Sequence, residues 1–252
     1  MTLMSRDLEM FEQMSSGELS NREMRKFFGE DPCTPASKSR VIKRLGVLIK
    51  SGYVQSRRYY RRDNKGFFVL NALTRKAVVA LVNNGIPIDH IRTPYLPSDM
   101  MLRHERTVSR VVRTIKLEAG EKSVLFRFWD EISLRKNRGT RDRGKPIPDL
   151  RVELYLEDIS LGVSFDIEVD LGTEQTIFFV RKKICRAKPT LVLCNSQVRI
   201  EQLRSLCRIY DHEMVVFAPL EEFYVHGIFD TSWETIEQQR KKALEYFSFT
   251  NT

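Results

Sequence analysis

The stretch FDIEVDLGTE at 165–174 constrains the fold more than any other part of the chain. Asp166, Glu168 and Asp170 occupy alternate positions, with Ile167 and Val169 between them. Period two is that of a β-strand, so the three acids share one face and the apolar pair the other. Three carboxylates on one face repel one another. That face is therefore expected to be solvated, or to meet a metal cation or basic side chains.

Charge is unevenly spread along the 252 residues. Residues 1–95 hold 17 Lys and Arg against 9 Asp and Glu, a net +8, while the rest hold 25 against 24. An electropositive module joined to a nearly neutral one is the simplest arrangement, and a polyanion is its expected partner. The four cysteines form no C-x-x-C pair and the four histidines are scattered, so no zinc spacing is present. The amphipathic, acidic start has no signal-peptide core and no apolar run approaches a membrane span, so a cytoplasmic protein without a membrane partner is expected.

In the basic module, Leu8, Phe11 and Met14 have helical spacing. Ser20 and Glu23 form a capping box ahead of Met24, Phe27 and Phe28, and Gly29 ends that helix. Thr34-Pro35 opens a third helix to about residue 51, with Val41, Ile42, Leu45, Leu48 and Ile49 as its buried face. Opposite lie Ala36, Ser39, Arg40, Lys43 and Lys50, with Arg44 on the flank. Residues 53–60 and 67–70 read as a hairpin carrying Arg57, Arg58, Arg61, Arg62 and Lys65, and 72–84 as a closing helix. Helices followed by a basic hairpin are the plan of a winged helix-turn-helix, whose third helix enters the major groove of duplex DNA.

Beyond a proline-rich linker, a helix at 98–118 leads into strands at 124–129, 149–156 and 163–171. A helix at 173–186, a strand at 189–194, a helix at 198–210 and a strand at 214–217 follow. An antiparallel meander feeding a parallel crossover is a three-layer α/β pattern. A further helix around Trp233 to Phe247, carrying Ile236 and Leu244, is expected to pack on the core or to recruit a partner. The expected fold class is thus α+β with α/β character. A winged helix spans 1–85, a linker 86–97, and a three-layer α/β domain 98–252.

This order resembles the restriction-endonuclease-like core. The resemblance implies a divalent cation, Mg²⁺ or Mn²⁺, held by Asp149 of Pro148-Asp149, by Glu168 and by Asp170, with helical Glu105 available. Closely spaced carboxylates suit a hard cation that polarises a phosphodiester. The pattern places a lysine two positions after Glu168. Here that position is Asp170, and Lys182 or Lys183 of the next helix is the substitute. The strings LRHE at 102–105, PIPDL at 146–150 and FDIEVDLGTE at 165–174 further resemble the replication-relaxation family of plasmids and mobile elements. That resemblance implies a DNA-binding protein acting in replication, transfer or transcription control, with a homodimer or another replication or transfer protein as partner. The alternative is a metal-dependent endonuclease with a displaced lysine.

Overall fold

The computed structural model describes residues 2–25, 35–60, 66–139, 146–156, 161–184, 188–212 and 214–242, with side chains at 35–38, 156, 161 and 240 outside that description. The chain divides into two compact units, Met1–Arg110 and Val111–Thr252.

The first unit begins with α1 (Ser5–Met14), which buries Met10, Phe11 and Met14. After it come β1 (Leu19–Ser20) and α2 (Asn21–Met24). The capping box is in place: Glu23 N donates to Ser20 Oγ at 3.2 Å, and Ser20 N donates to Glu23 Oε2 at 2.7 Å. The expected cap at Thr34 and the helix end at Phe27, Phe28 and Gly29 lie outside the described residues. Next are α3 (Pro35–Lys50), β2 (Val54–Tyr60), β3 (Phe67–Leu73) and α4 (Arg75–Asn83). The sheet order is β1-β3-β2, all antiparallel. Strand β1 is too short to show a period. It is fixed from a distance by Asn71, whose Nδ2 donates to Leu19 O at 3.2 Å and Asn21 Oδ1 at 2.7 Å.

Two expectations for this unit are corrected. Val41, Leu45 and Leu48 of α3 are buried, but Ile42 is 53% and Ile49 40% exposed. A helix in so small a unit meets its core along one seam, and residues one step around the axis fall outside it. Nor is 86–97 a free linker. Ile91 is buried in this core, Arg92 N donates to Ser15 O at 2.6 Å, and Tyr59 Oη donates to Pro97 O at 2.7 Å. Ile88–His90 forms a short 3-10 helix within the segment. The boundary between units falls inside α5 (Leu102–Glu121), at Arg110/Val111 rather than 97/98.

The second unit is built on a seven-stranded sheet of order β10-β9-β8-β7-β6-β5-β4. Its strands are β4 (Leu125–Asp130), β5 (Leu150–Leu156), β6 (Leu161–Asp170), β7 (Thr190–Cys194), β8 (Val215–Pro219), β9 (Trp233–Thr235) and β10 (Arg240–Lys241). The pairs β6/β7 and β7/β8 are parallel and the rest antiparallel. Parallel neighbours need crossovers, supplied by α7 (Thr176–Lys183) and α8 (Gln197–Ile209). These helices pack Phe179, Val180, Ile200 and Leu203 with Val192, Cys194, Val215 and Phe217 of the sheet. By register Glu168 and Asp170 share that face with Val192 and Cys194, while Ile167 and Val169 share the other with Leu191 and Leu193.

Between β4 and β5 stands α6 (Glu131–Lys136), capped by Asp130, which accepts from Ser133 N at 2.8 Å. At the C-terminal side the expected helix around Trp233 is instead strand β9, its Glu234 paired with Phe217. Residues beyond 242, including Leu244 and Phe247, lie outside the described part. The helix stands earlier, as α9 (Leu220–Asp230), and it is broken by Gly227 at φ 71 and ψ −166. The buried Glu118 carboxylate accepts from the backbone of Ile228 and Phe229 just after the break, and Trp233 Nε1 donates to Ile228 O at 3.2 Å.

Candidate functional site

Pro148 and Asp149 bring the chain into β5, and the register Leu150↔Ile167 sets Asp149 beside Glu168 at the core end of the β5–β6 pair. Val169 N donates to Asp149 Oδ2 at 2.8 Å, which fixes the carboxylate against β6. Helix α7 then returns over the same face. In its last turn Lys183 Nζ donates to Asp149 Oδ1 at 2.9 Å and stands 3.6 Å from Glu168 Oε2. Glu168 is 0% exposed, and neither of its oxygens has a hydrogen-bond donor among the described residues.

The electrostatics follow from that geometry. Burial, then the neighbouring Asp149 charge, pushes the Glu168 carboxyl well above the usual range, with Lys183 opposing. Burial works against charge on Lys183, but Asp149 and Glu168 outweigh it and hold the ammonium above its ordinary value. Glu131, whose backbone N donates to Asp149 O at 3.1 Å, adds negative potential at Lys183. The cluster is two acids and a lysine, closely packed at the edge of a buried face.

The whole acid face of β6 is buried and paired with basic groups. Arg151 Nε donates to Asp166 Oδ1 at 2.8 Å, and Arg199 Nε donates to Asp170 Oδ2 at 2.6 Å. Arg199 also reaches Thr176 Oγ1 at 2.6 Å and Glu174 O at 2.7 Å, and Gly172 N donates to Asp170 Oδ1 at 2.7 Å. Asp170 is thus engaged in holding the turn before α7. Glu105 belongs to the first unit, where Arg92 and His104 engage it. Burial resists its ionisation, yet the His104 and Arg92 interactions together hold its carboxyl below the usual range. Lys182 lies in solvent 3.6 Å from Glu174 Oε1. Of the expected site residues of the second unit, the structure therefore gathers Asp149, Glu168 and Lys183.

No three His, Cys, Asp or Glu side chains group as a metal cage among the described residues. Asp149 and Glu168 are oxygen ligands of the type a hard cation takes, and Lys183 Nζ stands against both of them. Glu168, a fully buried acid without a donor, is the group a cation would relieve. Residues missed in the sequence are Arg151, Arg199 and Glu131. Arg151 could have been found by aligning β5 against β6, since Arg151 falls opposite Asp166. Nothing local marks Arg199.

In the first unit Ser39, Arg40 and Lys43 are exposed on α3. Arg44 is engaged within the unit: its Nε donates to Asp7 Oδ1 at 2.9 Å and its guanidinium pairs with the same buried carboxylate. A buried acid on α1 needs that cation, which turns Arg44 inward. Arg57 is exposed but also donates to Pro97 O at 3.1 Å and to Asp99 Oδ1 at 3.2 Å. Arg58 lies over the Phe67 ring, 5.0 Å from its centre. Arg61, Arg62 and Lys65 lie outside the described residues.

No protein-family model and no curated protein matches the chain. A crystal structure of Bacillus subtilis PadR in complex with operator DNA is similar over 47% of this chain and 70% of that one, at 20% identity and a TM-score of 0.25. A likeness of that size carries no conclusion on fold or function. Among the described residues no helix is long and apolar enough to cross a membrane.

Proposed function

We propose that the chain binds duplex DNA through its first unit, acting as a winged helix. Helix α3 enters the major groove, and the β2–β3 hairpin lies against a neighbouring groove or its phosphates. The observation that supports this best is the outward placement of Ser39, Arg40 and Lys43 on a helix whose opposite seam is core. The surrounding 1–95 region carries net +8. A role in replication, transfer or transcription control of a mobile element rests on the resemblance of the three quoted strings.

Binding of the full chain to its preferred duplex should weaken by orders of magnitude between roughly 50 and 200 mM salt. Lys43→Ala should lower affinity for all sequences alike and flatten the salt slope by about one unit, as loss of one phosphate contact does. Arg40→Ala, if the side chain reads a base, should cost about 1–3 kcal/mol and relax preference at one position. Anisotropy titrations across salt and sequence measure all of this. Salt-independent binding, or no change in either variant, would remove α3 from the interface.

A second reading, phosphodiester cleavage, is favoured by the closure of Lys183 on Asp149 and Glu168. The succession α5, β4, α6, β5, β6, α7, β7 resembles the restriction-endonuclease-like order, and on this reading its lysine has moved from the strand to the following helix. Asp149 and Glu168 would hold Mg²⁺ or Mn²⁺, which polarises a phosphodiester when bound. Lys183 would supply fixed positive charge beside them. Mg²⁺ or Mn²⁺ should therefore raise the melting temperature of the wild type, and Glu168→Gln should lose that response. A wild type whose melting is indifferent to both ions, and which leaves supercoiled DNA intact in their presence, would sink this reading and leave DNA binding standing.

A further inference from the structure

Near its end the β2–β3 hairpin has two unlike faces. On one, Tyr59 and Phe68 pair across the ladder with rings stacked at 5.7 Å. Tyr59 is buried, and both its hydroxyl and Arg57 donate to Pro97 O, so residues 97–99 close this face. Burial pushes the Tyr59 hydroxyl up to about 12, which keeps it a donor to that carbonyl.

Among the described residues nothing closes the other face. Tyr60 lies directly opposite Phe67, the rings 6.5 Å apart and edge to face at 64°. Tyr60 is 72% and Phe67 51% exposed. Arg58, on the same face two residues back, stacks on Phe67. Two adjacent solvent-facing rings leave apolar area in water that gains nothing from folding. Arg58 beside the rings and the charge of the hairpin sequence say what covers them. Residues 54–73 hold five Lys or Arg against one Asp, which suits a polyanion and opposes a basic protein surface.

A flat apolar plate on a polyanion is a nucleic-acid base. Within an intact duplex both faces of a base are already stacked on neighbours. An unpaired base has a face to offer, and aromatic rings backed by arginine are the means by which proteins hold such bases. We propose that Tyr60 and Phe67 form a stacking platform for an unpaired base, so that the protein prefers duplex DNA interrupted by a bulge or short gap. This rests on the DNA-binding role proposed above and adds the class of DNA.

The test uses the full chain and three DNAs of one sequence: intact duplex, duplex with a short unpaired bulge, and duplex with a short single-stranded gap. Anisotropy titrations should show the interrupted duplexes bound about tenfold tighter than the intact one, the scale of one base–aromatic stack. Tyr60→Leu and Phe67→Leu keep apolar bulk at exposed sites and should leave the fold intact. They should shrink the preference to within about twofold while intact-duplex binding stays nearly constant, and Tyr60→Trp should retain it. Equal wild-type affinity for all three DNAs overturns the platform and leaves the DNA-binding role standing. An equal loss on all three in Tyr60→Leu also overturns it, assigning the ring to general contact. Wild-type protein that binds none of them overturns both proposals.

Discussion

Lys183→Met should destabilise the second unit by on the order of 3 kcal/mol near neutral pH, the cost of removing one partner from a buried ionic cluster. Methionine keeps the length and apolar stem, so the loss is that of the charge. Without the ammonium, Asp149 and Glu168 face each other across a buried space, and the pair must hold a proton or repel. The pH dependence follows from the direction of each shift. The native Glu168 pKa is raised, so its contribution to stability is complete below about pH 4.5 and is lost as pH climbs through the raised native value. The native Lys183 pKa is also raised, so its contribution is complete below about 10.5 and is lost only as pH rises through its own higher value. The deficit of Lys183→Met should therefore be smaller near pH 4, where the raised Glu168 carboxyl keeps its proton, and grow toward pH 8. Denaturant titrations at both ends check this, read through Trp129 and Trp233, the two tryptophans of the chain and both in the second unit. Adding Glu168→Gln should restore much of the loss at the higher pH. A deficit independent of pH would show that Lys183 serves through packing alone.

Gly227→Ala should cost about 4 kcal/mol, combining backbone strain with the loss of a buried cap. Its φ of 71 with ψ of −166 lies in a region that only glycine enters comfortably. A Cβ there would also overlap the Glu118 carboxylate, which accepts from Ile228 N and Phe229 N. Pushing Glu118 aside leaves an acid in an apolar site, where burial already raises its pKa against those backbone bonds. The control is Gly120→Ala on α5, where a Cβ meets nothing within 4 Å and the substitution should be neutral or favourable. A Gly227→Ala protein as stable as the wild type would mean that the break in α9 can be rebuilt as regular helix.

Much of the site was legible because strands and caps write local patterns. Alternation placed Asp166, Glu168 and Asp170 on one face, Pro148-Asp149 marked the entry to β5, and Lys183 followed on the next helix. Ownership of the acids was not legible. Asp170 and Arg199 lie 29 residues apart, and Arg92 claims Glu105 from outside its helix. Such pairs leave no periodic trace, so Asp170 and Glu105 looked as free as Glu168. The exposure of Ile42 and Ile49 escaped for a related reason: composition shows which residues are apolar, but the width of the seam depends on how many elements reach the helix. Strand β9 was hidden because three residues cannot display a period, and its pairing with β8 makes it a strand.

The paired acids of β6 also bear on how the strand finds its place. The cations come from β5, α7 and α8, so each fixes the strand against a different neighbour. A shift of β6 by one position exchanges its faces. Asp166, Glu168 and Asp170 would then enter the layer of Leu150, Leu191 and Leu193, and Arg151, Lys183 and Arg199 would face Ile167 and Val169. Each stranded charge costs several kcal/mol, and together they exceed the roughly 5–15 kcal/mol that separates a folded domain from its unfolded chain. The ion pairs thus act as a reading frame, one that rejects the neighbouring alignment outright, whatever chemistry the central pair performs.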